Sequence, residues 1–152
     1  MSFRFFSRLT RVLLYALFCL IVAAIVVLPF VLEKLFTFFG DDYANAPGYG
    51  WFIVFFLILA GIGALYILFS LIRILKTLDG DPFVEKNASA LKSMGIVSEG
   101  LCVLFAIKSV WFFTPMTVAC AVVTLLCGLF ALVLSDVFAR AVTYKIENDL
   151  TI

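Results

Sequence analysis

Four long apolar runs, at residues 12–32, 51–75, 96–113 and 117–134, limit what this chain can fold into. Each nears or exceeds the length of about 20 residues that an α-helix needs to cross the hydrocarbon of a bilayer. Lipid offers no partner to backbone N–H and C=O groups, so a spanning run must satisfy them internally, as a helix does. Hydrophobic residues make up 65% of the 152, against roughly half in a soluble domain. The mean hydropathy is +1.21. The expected fold is all-α: a polytopic membrane protein with four transmembrane helices in an antiparallel bundle. The helices are expected at about 12–36, 51–75, 95–113 and 117–140, in a single domain of residues 1–152. A connector at 76–94 and a tail at 141–152 complete the chain. No linker, low-complexity segment or fixed repeat divides it.

The first run is preceded by Arg4, Arg8 and Arg11 among Phe3, Phe5 and Phe6. This lead-in reads as a positive flank, with a short surface helix as the alternative. A cleaved signal peptide would be shorter and followed by small residues, whereas Pro29-Phe30-Val31-Leu32-Glu33-Lys34 follows here. The first run therefore reads as an uncleaved membrane helix, bent near Pro29. After it come Asp41 and Asp42 and the aromatics Phe36, Phe38, Phe39, Tyr43, Tyr49 and Trp51. The aromatics suit an interfacial belt, and the acidic pair reads as a solvated loop, with a cation site beside the tyrosines as the alternative.

The second run is thin-walled at Ala60-Gly61-Ile62-Gly63-Ala64, where another helix can approach closely. The third carries a small-residue stripe at Ser98, Cys102 and Ala106, and the fourth one at Cys120, Thr124 and Gly128. Both stripes are expected to face other helices. The third run also holds two charges, Glu99 and Lys108. An ionisable group in a membrane helix costs roughly 2.5–3.5 kcal/mol at the centre. Glu99 lies about one turn inside the boundary. It reads either as a proton, cation or partner site, or as an interfacial residue paired with Arg73 or Lys92. Lys108 is expected to snorkel to the opposite headgroups. Nine positions separate the two charges, which places them about half a turn apart on the helix, so they should not pair.

Cys19, Cys102, Cys120 and Cys127 all sit in apolar runs, and the chain has no histidine. Such cysteines behave as small hydrophobes rather than as a disulfide or metal framework. Without histidine there is no imidazole base and no Ser-His or Cys-His nucleophile. No enzyme activity and no cofactor or metal is expected.

The connector holds the longest internal polar stretch. Asp79-Gly80 is a turn dipeptide, and Pro82 suits a first helical turn. A short amphipathic helix is expected to start between Pro82 and Glu85, with Leu91 and Met94 on one face and a bend at Gly95. Basic residues set the orientation. Arg4, Arg8, Arg11, Arg73, Lys76, Lys86, Lys92, Arg140 and Lys145 fall on one side of the four runs, and Lys34 falls on the other. The positive-inside rule places both termini and the connector in the cytoplasm.

Asp81-Pro82-Phe83 with Asn87, Leu91 and Gly95, then Asp136-Val137-Phe138 and Asp149-Leu150-Thr151-Ile152, resemble a bacterial four-helix membrane family. That family is catalogued as domain of unknown function 2975, and the resemblance is expected to span essentially the whole chain. Its members are often encoded beside a small helix-turn-helix regulator of the Cro/repressor type. The resemblance thus implies a bacterial cytoplasmic membrane and a role as partner or regulator of that protein. One departure is Val84, where the family often has a Ser or Thr able to cap the helix. Either Asp81 caps instead or the start is looser.

The leading expectation is a small regulatory or scaffolding membrane protein that docks a cytoplasmic partner through Phe83, Asn87, Asp149 and Leu150. An exposed aromatic beside a rigid proline makes an anchor for a partner pocket. The alternative is an accessory subunit of a transporter, or a small homo-oligomeric transporter that uses Glu99. Apart from the bilayer, expected partners are that regulator, a second copy or a membrane complex. Nucleic acid is not expected to bind directly. The topology has a direct check: with Asn45→Cys, an impermeant thiol reagent added to intact cells should label the chain, and with Ser89→Cys it should not. The reverse pattern would overturn the orientation.

Overall fold

The computed structural model describes residues 2–39, 47–77 and 84–149. It contains four helices: α1 Ser2–Phe39, α2 Tyr49–Thr77, α3 Glu85–Trp111 and α4 Pro115–Asp149. All four are long and apolar enough to cross a membrane. The basic lead-in does not form a separate element, because α1 runs through it from Ser2 and has Pro29 inside. The expected short connector helix is likewise absorbed. From Glu85 the helix continues through Gly95 into the third apolar run without a break. Nothing between Glu85 and Trp111 removes a backbone donor, and Gly95 is held against α4, so no bend or separate piece results. Asp41, Asp42 and Tyr43, the Asp79-Gly80 turn and Pro82 lie outside the described residues.

Local chemistry explains the helix ends. Gly48, just before α2, adopts φ +81°, a conformation L side chains rarely take. The Phe52 N–H donates back to its carbonyl at 3.1 Å. Val84 precedes α3 in an extended conformation and gives no side-chain cap; the Asn87 N–H donates to the Val84 carbonyl at 2.9 Å and tightens the first turn. Glu85 in that turn complements the positive helix end. At the other end the Phe112 N–H donates to Lys108 O, and Pro115 opens α4 at a position where its missing N–H costs nothing.

Helices adjacent in sequence are adjacent in space. α3 packs on α4 over the longest contact, while α1–α2 and α2–α3 meet more locally. Among the described residues α1 and α4 do not touch, so the antiparallel set is an open array. Glycines mark the close approaches. A Cβ on Gly61 would stand 2.7 Å from Ile25 Cδ1 of α1, and one on Gly63 would stand 2.8 Å from Leu101 Cδ2 of α3. Two positions along a helix turn the chain by about 200°, so the two glycines serve opposite neighbours. Packing, not flexibility, accounts for the thin middle of α2. A Cβ on Gly95 would meet Leu132 Cγ at 2.6 Å and the Gly128 carbonyl at 3.1 Å.

The two stripes meet in the α3–α4 seam, where Ser98 Oγ donates to the Thr124 carbonyl at 2.7 Å. Ser135 Oγ donates to the Ala88 carbonyl at 2.8 Å further along. Ala106, expected in the same stripe, is exposed. At the end carrying both termini, Ile74, Leu91 and Met94 form a core with Leu134 and Phe138. At the opposite end Tyr49, Ile53 and Phe56 form another, and Phe112 covers Tyr49 at a ring distance of 4.8 Å. Tyr49 thus belongs to the core rather than to an interfacial belt, whereas Trp51 is 84% exposed.

Gly128→Leu should destabilise the array by about 1–3 kcal/mol, the usual cost of overpacking a tight contact. Val123→Leu, on the outer face of α4, should change little. Thermal melting of both variants in detergent checks this, and equal midpoints would refute it.

Candidate functional site

The titratable and polar groups that sequence singled out are distributed along α3, and its three contact zones give each a different environment. In the middle, Glu99 projects over Gly128 of α4. A Cβ at Gly128 would fall on the Glu99 carboxyl oxygen Oε1 and lie 2.9 Å from its Cδ. The absence of a side chain there makes the room in which the carboxyl group sits. Glu99 Oε1 is buried and has no hydrogen-bond partner among the described residues. Pairing with Arg73 or Lys92 does not occur: Arg73 faces the α2–α3 groove and Lys92 is exposed. A buried carboxyl oxygen with unused acceptor capacity can hold a proton, accept from a donor group, or contribute to a cation site.

At the far end of α3, Lys108 corrects an expectation. It is 4% exposed and does not snorkel to the headgroups. Its Nζ donates to Thr114 Oγ1 at 2.7 Å and to Thr117 Oγ1 at 3.1 Å, both at the α3–α4 turn. The two threonine hydroxyls also contact one another. The turn brings the acceptors within reach of the ammonium, which removes the need to extend towards water. Glu99 and Lys108 are separated by about 13.5 Å along the axis, at about 1.5 Å per residue.

At the near end, Asn87 also departs from expectation. It is 2% exposed, so it cannot contribute to an open docking surface. Its Nδ2 donates to Thr77 Oγ1 at 2.7 Å. The same hydroxyl lies 2.9 Å from Asn87 Oδ1 and 2.7 Å from the Ile74 carbonyl, and its one proton can serve either acceptor. This bond joins the last turn of α2 to the first turn of α3. Of the other expected docking residues, Asp149 is the last residue of α4, and Phe83 and Leu150 lie outside the described residues.

Sequence reading takes the tail from Asp136 as helical and amphipathic at first, with Val137, Phe138, Ala141 and Tyr144, and misses only how far α4 runs. Ser135 pairs with Ala88 near the start of α3, and Phe138 closes the core there. The helix nevertheless continues to Asp149. At about 1.5 Å per residue these eleven further positions extend roughly 16 Å. Among the described residues this arm contacts no helix other than α3. Tyr144 is 67% and Ile146 54% exposed. Beyond Tyr144, the helix formers in Lys145-Ile146-Glu147 were the available signal, masked by the polar end of the tail.

The family model described as "Protein of unknown function (DUF2975)" matches residues 38–152. The match takes in α2, α3 and α4 and leaves nearly all of α1 outside, so the resemblance does not span the whole chain. No curated protein and no solved structure matches the chain.

Replacing Thr117 by Val removes an acceptor from a buried ammonium and should cost about 1–3 kcal/mol. Thr143→Val, which loses only an exposed bond to the Ala139 carbonyl, should be nearly neutral. Melting midpoints in detergent decide between them.

Proposed function

The chain belongs to the DUF2975 family, and on that footing we propose that it is a small integral membrane protein of regulatory or scaffolding type. It holds a cytoplasmic partner against the bacterial inner membrane and performs no catalysis. The observation that carries this reading is the α4 arm. Beyond Phe138 the helix touches neither α1 nor α2 among the described residues, and its exposed apolar side chains gain from being covered. Val137, Arg140 and Tyr144 share one face at helical spacing, which gives an aromatic and an aliphatic anchor beside a cation. Both Val137 and Tyr144 are exposed. The basic residues at this end support a cytoplasmic location. The family resemblance supports a helix-turn-helix regulator as the partner, bound as a protein and without nucleic acid contact. Phe83, Asp149 and Leu150 belong to the same docking surface in this reading, and Asn87 fastens the helices beneath it.

A second reading is favoured by Glu99. Its buried, unpartnered Oε1 suits a proton or cation site in a small homo-oligomeric transporter or a transporter subunit. One set of variants separates the two. Tyr144→Ala, Phe83→Ala and truncation after Glu147 should each insert normally yet lose a DNA-binding partner copurified from native membranes. Glu99→Gln should retain it. If the docking variants keep the partner while Glu99→Gln abolishes cation-driven flux in proteoliposomes, the second reading holds and the first fails.

A further inference from the structure

α2 and α3 meet closely at Gly63 and Leu101, and on one side of that line they diverge into a groove. Its upper part, at the terminal end of the helices, is a polar cavity of about 380 Å³. Arg73 and Lys86 border it together with Ser89 and Ser93, and Glu85 supplies one opposing charge. Below it lies an apolar cavity of about 530 Å³ between Ile62, Val97, Val103 and Ile107. Tyr66 lines both, so the two are consecutive parts of one groove. Helical spacing makes the continuity necessary: Leu59, Ile62, Tyr66, Phe69 and Arg73 recur every three or four residues along α2.

We propose that this groove binds one anionic glycerophospholipid, with its phosphate between Arg73 and Lys86 and an acyl chain in the trough below. Three observations carry the assignment. The charge at the polar end is net positive, and among the described residues neither Arg73 nor Lys86 makes an ion pair. Lys76, the neighbouring cation on α2, instead lies 6.0 Å from the Tyr15 ring centre on α1. Arginine's planar fork suits two phosphate oxygens, and the Ser89 hydroxyl adds a further donor, that of Ser93 being given to the Ser89 carbonyl. The dimensions also agree. Arg73 and Leu59 are about 21 Å apart along α2, at about 1.5 Å per residue, which exceeds the roughly 15 Å depth of one leaflet's hydrocarbon. Finally, Gly100 forms part of the trough, and a Cβ there would meet nothing within 4 Å. The volume is therefore open to a chain rather than filled by the protein's own packing. A soluble anion would have no use for the apolar half.

The test is native mass spectrometry of the whole chain in zwitterionic detergent, titrated with phosphatidylglycerol or phosphatidylcholine. The expected result is one tightly retained phosphatidylglycerol per chain and no comparable retention of phosphatidylcholine. Each basic residue near a membrane surface is worth about fivefold in anionic-lipid affinity, so Arg73→Gln with Lys86→Gln should weaken retention about 25-fold. Gly100→Leu should block the trough and release the lipid without lowering the melting midpoint. Lys92→Gln, at the same end but outside the groove, should leave retention unchanged and so control for general attraction to basic flanks. Equal retention of both lipids, retention unaffected by the double substitution or by Gly100→Leu, or full displacement by inorganic phosphate would each overturn the proposal.

Discussion

α3 rests on α4 at Gly95 and Gly128, where a Cβ on the first would stand 3.1 Å from the carbonyl of the second. In lipid, helices gain little from hydrophobic association, so dispersion between closely placed backbones and a few hydrogen bonds must hold them. The seam supplies both. Ser135 reaches the Ala88 carbonyl, Ser98 reaches the Thr124 carbonyl, and Lys108 reaches Thr117. These contacts fall at successive levels of both helices, so a slip of one turn would break all of them together. The register of α3 on α4 then decides where every other polar group lies.

α3 is the helix for which such shelter matters most. It carries Glu99, Lys108 and Asn87, none of which lipid would tolerate uncovered. Each is accommodated by a specific neighbour. Asn87 closes on Thr77 of α2, and Lys108 on the threonines of the following turn. Glu99 occupies the gap that Gly128 leaves. Only at Glu99 does a buried oxygen remain without a partner among these three. That difference makes it the group in α3 with chemical capacity to spare.

α2 occupies the centre of the array and divides its faces among its neighbours. Gly61 admits Ile25 of α1, and Gly63 admits Leu101 of α3. α1 is held by this contact and by Lys76 over the Tyr15 ring. The spanning part of α1 has no buried residues, and the family match starts only at residue 38. α2, α3 and α4 hold the seam, the groove and the arm, and these three helices carry the proposals made for this protein.

The number of helices, their apolar character and the small-residue faces of α3 and α4 were legible in the sequence, because run length and four-residue spacing follow directly from helix geometry and bilayer thickness. The start of α3 beside Glu85 was legible for the same local reason. The fates of Lys108 and Asn87 were not, and of the tail only the helical, amphipathic start was. Lys108 finds its acceptors through a turn, Asn87 finds Thr77 across ten positions, and α4 keeps its helix to Asp149, where among the described residues it touches no helix other than α3. Each depends on which residues the chain brings together from different elements, and no periodicity within a single element encodes that. Sequence alone therefore determined the segments and their faces, while tertiary structure decided which polar groups are satisfied, which volume stays open and how far the last helix extends.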